Sequence, residues 1–282
     1  MEERLFAGKV DAPAKGFTHG GKFHSDDVFA TAFLRMLNPD IEIQRGYDVP
    51  EDFDGIVYDI GRGAFDHHQE DKEIRENGCP YAAFGLIWRE YGTQCVGEEE
   101  AAKFDEKFVQ PLDESDNTGC SNTLASIIAN FNPSWDSEDS YDDCFWEAVD
   151  FAQVILEKHF AAVAGICRAK AVVHEAMAKS EGEILVLPCY APWKGEVIDS
   201  GYKMVVYPSN RGGYSIQGVP VERGSNELLC EMPEEWRGKD ASELPQISGI
   251  PTLRFCHASG FLAAADSFEG AIQAAKIALQ NK

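Results

Sequence analysis

The chain has 282 residues, 44% of them hydrophobic and 26% charged, which suits one large domain or two modest ones, each with its own core, and leaves no tract polar enough to be disordered. A formal net charge of −23 excludes a broad nucleic-acid groove, because the summed field repels long polyanions unless metals or a local basic patch reverse it. The eight cysteines include no C-x-x-C pair, and the longest apolar run, residues 160–167, is far shorter than a bilayer span. Reduced thiols, no membrane segment and a cytoplasmic location are therefore expected.

Residues 14–19 read as a short strand, and Ser25-Asp26-Asp27 offers an N-cap to an apolar-periodic helix over 28–37. Residues 41–45 and 55–60 read as further strands, the second a nearly continuous apolar run ending in Asp59, as buried parallel strands do. Residues 64–68 read as another strand, and 81–91 and 98–109 have helical spacing. The first half is thus expected to be an α/β sandwich with a mostly parallel sheet.

Residues 141–179 keep a helical period with only a bend expected at Gly165, and His159 and His174 on this connector read as packing or solvent-facing side chains. Strands follow at 184–187, 203–207 and 214–219. The turn 209–213 separates the last two, with Arg211 at its tip as a turn residue. A helix anchored by Ser267 runs to Leu279, so the second half reads as a smaller α+β domain. The division expected is 1–180, including the connector, and 181–282. Trp135, Trp146 and Trp193 read as core or interdomain packing.

Four of the seven histidines fall in two short segments, Thr18-His19-Gly20-Gly21-Lys22-Phe23-His24-Ser25-Asp26-Asp27 and Asp66-His67-His68-Gln69, each just after a predicted strand. Carboxyl ends of strands are where open α/β sheets build sites. Asp59 ends a strand between them, and a third acidic cluster, Asp113-Glu114-Ser115-Asp116-Asn117, is expected to follow a helix. Asp26 and Asp27 alone could merely favour a helix N-terminus. The ordered set points instead to a metal site. Imidazoles and carboxylates without thiolates favour Mn²⁺ or a related ion (Mg²⁺, Co²⁺ or Zn²⁺) over structural zinc, and several carboxylates suggest two ions with Asp59 between them. Two divalent ions clamp both oxygens of an in-line phosphoryl displacement and activate water.

The pattern T-H-x-G-x-F-H-x-D-D, followed by D-I-G, D-H-H-Q and D-x-x-D-N, resembles the DHH phosphoesterase superfamily and within it the melanocyte-proliferating-gene (Myg) branch of metal-dependent exonucleases. Pro233-Glu234-Glu235-Trp236-Arg237-Gly238, Ser248-Gly249-Ile250-Pro251 and His257-Ala258-Ser259-Gly260-Phe261 resemble that branch's C-terminal motifs, so the likeness spans about residues 14–280. Gly20 stands where the family commonly has Asn, and Asp27 where it has Glu. The resemblance implies an active site in an interdomain cleft, with His19, His24 and Asp59 on one ion and Asp26, Asp59, His67 and Asp116 on the other. It further implies that Asp66 orients a histidine and that His68 touches phosphate or the leaving group. Arg237, His257, Ser259 and Gly260 would meet the substrate.

The activity so implied is Mn²⁺-dependent phosphodiester hydrolysis, a 3′-to-5′ exonuclease acting on RNA or short oligonucleotides. Two alternatives stand beside it: a hydrolase of pyrophosphate, a cyclic dinucleotide or a nucleotide, and a non-catalytic metal-binding regulatory protein. The sequence leaves homo-oligomerisation open.

Overall fold

A computed structural model describes residues 10–280, which fall into two units dividing between Val163 and Ala164. The first unit contains β1 (Lys15–His19), α1 (Ser25–Leu37), β2 (Glu42–Gly46), β3 (Ile56–Val57), α2 (Ala83–Val96) and α3 (Glu98–Phe104). A π-helical turn (Asp105–Val109), α4 (Gln110–Thr118), α5 (Thr123–Ala129) and the first part of α6 (Tyr141–Lys179) complete it. Its sheet is wholly parallel, in the order β2-β1-β3.

Helix α1 is buried through Val28, Phe29, Ala30, Ala32, Phe33 and Leu34 because it packs on α2, α4 and α5. The centre of this core is aromatic: Phe33 lies 5.0 Å from Trp88, and Trp88 stacks on Phe160 at 5.8 Å. Truncating such a ring to alanine costs about 3–5 kcal/mol.

Several expected elements change form. The strand expected over 55–60 closes to Ile56–Val57, with a single bridge from Tyr58 to Phe65, which is also all that forms of the strand expected over 64–68. The reason is local: Asp59 has φ 55°, Gly61 86° and Arg62 57°, so the chain turns out of extended geometry at Asp59. The N-cap of α1 is His24, not Ser25, which is already helical. The Asp113–Asn117 cluster lies inside α4 instead of following a helix. Trp135 is not a packing residue, since it is 96% exposed.

The second unit takes the end of α6, then β4 (Ile184–Val186), α7 (Lys194–Val197), β5 (Met204–Pro208) and β6 (Tyr214–Gly218). A 3₁₀ turn (Glu234–Trp236), α8 (Leu244–Ser248), β7 (Leu253–Cys256), β8 (Leu262–Ala265) and α9 (Phe268–Gln280) follow. Its sheet has the order β4-β5-β6-β8-β7, parallel only between β4 and β5. One face receives α9, whose Ala271, Ala274, Ala275 and Ala278 join a core with Met204, Val206, Ile216 and Ala263. The alanines bring helix and sheet close. On the other face Val205 and Tyr207 pack with Leu185, Trp193 and the α6 residues Ala169 and Val173. The first unit, with its parallel sheet, is α/β, and the second, with a mostly antiparallel sheet, is α+β. All eight cysteines are unpaired, and no helix among the described residues is long and apolar enough to cross a membrane.

Candidate metal centre

The centre is built in the first unit where β1, the turn after β3, α1 and α4 bring side chains together. His19 is the last residue of β1, and its Nδ1 lies 3.1 Å from the Gly20 carbonyl. An Nδ1–H donated there leaves Nε2 as the free lone pair, facing Asp59 at 3.1 Å and Asp27 at 3.2 Å. His67 is oriented the same way: Nδ1 meets the Asn117 side-chain oxygen at 3.3 Å, while Nε2 faces Asp59 (3.2 Å), Asp116 (3.3 Å) and Asp26 (3.5 Å). Asp59 reaches both histidines because its left-handed backbone turns the carboxylate inward at the end of the parallel strand.

The loop between β1 and α1 is pinned from outside. Phe23 donates its N–H to Asn132 Oδ1 at 3.0 Å, and Asn132 Nδ2 donates back to the Phe23 carbonyl at 2.9 Å. Arg45 donates to the Gly21 carbonyl at 2.9 Å and stacks 3.9 Å over Phe145. At the start of α1, the His24 N–H donates to Asp27 Oδ1 at 3.0 Å, which caps the helix. On α4, Asn117 Nδ2 donates to the carbonyls of Tyr81 and Asp113, fixing the oxygen that meets His67.

The six expected ligands therefore lie close together in one unit, and together with Asp27 and His68 their donor atoms fall into sets within 4.8 Å: His19, Asp27 and Asp59; His24, Asp26 and Asp116; Asp59, His67 and His68. His24 stands with Asp116, at 3.9 Å. Asp27 was not expected to touch the site, yet it is completely buried against His19. Its position beside Asp26 on the first turn is the only sequence signal for it.

The electrostatics are those of an acidic cage. Burial first, then the charges of Asp59, Asp116 and Asp27, push the Asp26 carboxyl well above its usual range. Burial alone would raise Asp59, but the His19 and His67 imidazoles that face it outweigh this and bring the carboxyl down to about 2. Burial lowers His19, yet Asp27 and Asp59 more than offset this and raise it to about 10. His67 is raised by Asp59 and Asp116 against the same burial. The buried atoms Asp26 Oδ1, Asp27 Oδ2, Asp59 Oδ1 and His67 Nε2 have no hydrogen-bond partner among the described residues. Hard and borderline donors that converge without bonding one another fit divalent cations, which relieve the repulsion among the acids and displace protons on binding.

Saturating Mn²⁺, at about a hundred times its Kd, is expected to stabilise the protein by about 2.7 kcal/mol. For a unit of this size that is a rise in Tm of about 5–11 °C over the chelated protein. Equal melting curves with metal and with chelator would show that the acids converge for another reason.

A cavity of about 450 Å³ opens beside these groups, lined by His19, His24, Asp59 and His68 with the cations Lys22 and Arg62. His68 is exposed, with its Nδ1 2.7 Å from Asp66 Oδ1. Asp66 also accepts from the N–H groups of Arg62 (2.6 Å) and His68 (3.1 Å). Burial raises its carboxyl, but the bonds from His68 and Arg62 prevail and hold it below the ordinary range.

The expected substrate residues lie in the second unit. His257 Nδ1 meets the Ser259 hydroxyl at 2.8 Å and accepts the Ser259 N–H at 3.1 Å, and the Gly260 N–H closes the turn on the His257 carbonyl at 2.9 Å. Gly260 has φ 71°, and a Cβ there would stand 2.6 Å from Arg237 Nε. Arg237 itself donates to the Met232 carbonyl at 2.9 Å and pairs with Glu231 at 2.8 Å. It thus packs beneath the turn, while His257 is exposed above it.

The family model MYG1_exonuc, described as an uncharacterised protein family (UPF0160), matches residues 16–279. The MYG1 exonuclease of Homo sapiens is 32% identical over 97% of this chain and 88% of its own length. The MYG1 protein of Schizosaccharomyces pombe is 29% identical over 93% of this chain and 96% of its own. No solved structure matches the chain.

Proposed function

We propose that this chain, which belongs to the MYG1_exonuc family, is a metal-dependent phosphodiester hydrolase that removes nucleotides from the 3′ ends of RNA or short oligonucleotides. One observation carries the reading. The buried, unbonded donors of Asp26, Asp59 and His67 converge in a relative of proteins named MYG1 exonuclease. His19, His24, Asp26, Asp59, His67 and Asp116 would hold two divalent ions, Mn²⁺ by preference, with Asp27 beside His19 as a further acidic contact. When bound, such ions lower the pKa of a coordinated water and offset phosphate charge.

The protein's own groups do the rest. Asp66 fixes the His68 ring by accepting its Nδ1–H, so that the imidazolium form donates its second proton from Nε2 to a phosphate oxygen or to the leaving oxygen. Lys22 and Arg62 bring positive charge to the cavity rim of an otherwise acidic protein. Within the second unit, Arg237 supports the Ser259-Gly260 turn beside the exposed His257, the groups assigned to substrate binding there. Eight unpaired thiols suit a reducing, cytoplasmic setting.

Purified protein with Mn²⁺ should shorten a 5′-labelled oligoribonucleotide from its 3′ end and stop on chelation. The net charge of −23 favours a second reading, hydrolysis of a small phosphate compound. Faster turnover of pyrophosphate or a cyclic dinucleotide than of the oligonucleotide would establish that reading instead. His68→Ala is expected to lower kcat by about 10²–10⁴-fold with two ions still bound by elemental analysis. Because His68 also lies within reach of Asp59 and His67, loss of an ion in that variant would make it a ligand instead.

A further inference from the structure

We propose that the uncovered half of the second unit's sheet is a nucleotide subsite, where Tyr190 and Phe255 stack a nucleobase and Arg211 holds its phosphate. The inference rests on the nuclease reading and names how a single-stranded end would be held.

The pocket follows from strand register. Tyr207 pairs with Ser215, Ser215 with Ala264, and Ala264 with Phe255, so two small residues lie between two aromatic ones along a row across four strands. Side chains on one row of a sheet share a face, and the result is a trough with a low floor and aromatic walls. Its volume, about 610 Å³, lies within the range of small-molecule sites. Tyr207 is buried and donates its hydroxyl to Gln217 at 2.9 Å, so it is fixed. Tyr190 stands 5.5 Å from it and is 55% exposed, and Phe255 is 43% exposed. Two large rings facing one cavity without cover mark a binding surface.

Charge identifies the occupant. The lining contains no carboxylate among the described residues, and its charged members are Arg211 and Arg254. This is an unusual concentration of positive charge in a chain of net charge −23. The two arginines differ in role. Arg254 pairs with Asp266 at 3.2 Å and donates to the carbonyl of Gly212, bracing the β5–β6 turn. That turn is closed by the Ser209 N–H on the Gly213 carbonyl at 2.9 Å. Arg211, at its tip, has no anionic partner among the described residues and so is free for a phosphate. An aliphatic ligand has no need of the arginine, and a bare anion has no need of the rings. A base joined to a phosphate uses both.

The test titrates the full chain, with chelator present, against adenosine 5′-monophosphate (AMP), adenosine and ribose 5-phosphate by calorimetry. AMP should bind more tightly than ribose 5-phosphate, and Asp59→Asn should bind it as the parent does. Tyr190→Ala and Phe255→Ala should each weaken AMP by roughly five- to a hundredfold, while Tyr190→Phe restores it. Arg211→Ala should weaken AMP and ribose 5-phosphate but not adenosine. An AMP complex untouched by the alanine variants overturns the proposal. So does failure of AMP to bind, including the case in which the same variants change the oligomeric state and assign the face to a second copy. AMP binding with the expected variant losses, in a protein that cleaves no RNA, would sink the nuclease reading and uphold the pocket.

Discussion

Replacing Asp59 by Asn is expected to reduce phosphodiester hydrolysis by about three orders of magnitude in a protein that still folds. Asp59 meets His19 through Oδ2 at 3.1 Å and His67 through Oδ1 at 3.2 Å, so one carboxylate serves both histidine segments. Asparagine keeps one acceptor oxygen and loses the charge, removing several kcal/mol of electrostatic support at about 1.4 kcal/mol per decade of rate. The choice of substitution matters, because Asp59 has φ 55°. Asparagine tolerates that region as aspartate does, whereas a β-branched side chain adds strain of about 1–3 kcal/mol. Single-turnover cleavage of a labelled oligoribonucleotide, beside thermal melts of Asp59→Asn and Asp59→Val, separates chemistry from folding. A rate for Asp59→Asn within tenfold of the parent would remove Asp59 from the centre of the mechanism.

The second large effect is structural. Arg75→Ala is expected to destabilise the first unit by about 3–5 kcal/mol, the usual cost of breaking a buried ion pair from one side, or roughly 6–20 °C in Tm. The Arg75 guanidinium bonds Asp105 at 2.7 and 2.9 Å, Asp113 at 2.8 Å and the Pro80 carbonyl at 3.1 Å, and lies 3.8 Å over the Tyr81 ring. Asp113 is wholly buried and also accepts the Gly85 N–H at 3.2 Å. The fit is close, since a Cβ on Gly85 would stand 1.8 Å from Asp113 Oδ2.

A pH signature accompanies the loss. Burial pushes the Asp113 carboxyl up to about 7 even against the pull of Arg75. A folded value above the unfolded one favours the neutral acid, so that contribution is complete at low pH and is lost as pH rises through about 7. Without Arg75 the carboxyl rises further. The deficit of Arg75→Ala should therefore be largest near pH 9 and shrink toward pH 5, read as the difference between urea midpoints. A deficit that ignores pH would show that Asp113 is not the group left stranded. Because Asp113 precedes Asp116 and Asn117 by about one turn of α4, the same variant should lose metal on warming before the parent does.

Much of this architecture was legible in local sequence. The bounds of α6 at Tyr141 and Lys179 follow from an unbroken apolar period, and β1 and α1 from their short apolar runs. The two histidine motifs pointed to a candidate metal centre because each follows a predicted strand, and in the structure their donor atoms do converge. β7 and β8 escaped notice because they are four residues each, and Leu262–Ala265 is three alanines after a leucine, without alternation. α5 was missed too, being seven residues without a long period. The supports of the centre lie far apart in sequence: Arg75 finds Asp113 across 38 positions, and Asn117 finds His67 across 50. No local period encodes such pairings. Asp27 was hidden differently, because a helix-capping role explains it fully until His19 is seen to touch it. The aromatic trough needed the register of three strand pairs, which composition does not reveal.

The clasp between Asn132 and the backbone of Phe23 has a consequence for biosynthesis. The residues it joins are 109 apart in the chain, so a ribosome adding about 5–20 residues per second finishes the loop roughly 5–20 s before it makes the side chain that fixes it. During that interval His19 and His24 emerge without their lock. Slowing translation between codons 24 and 132 should lengthen the time in which the nascent chain is open to proteases and stray metals, and slowing it after codon 132 should not.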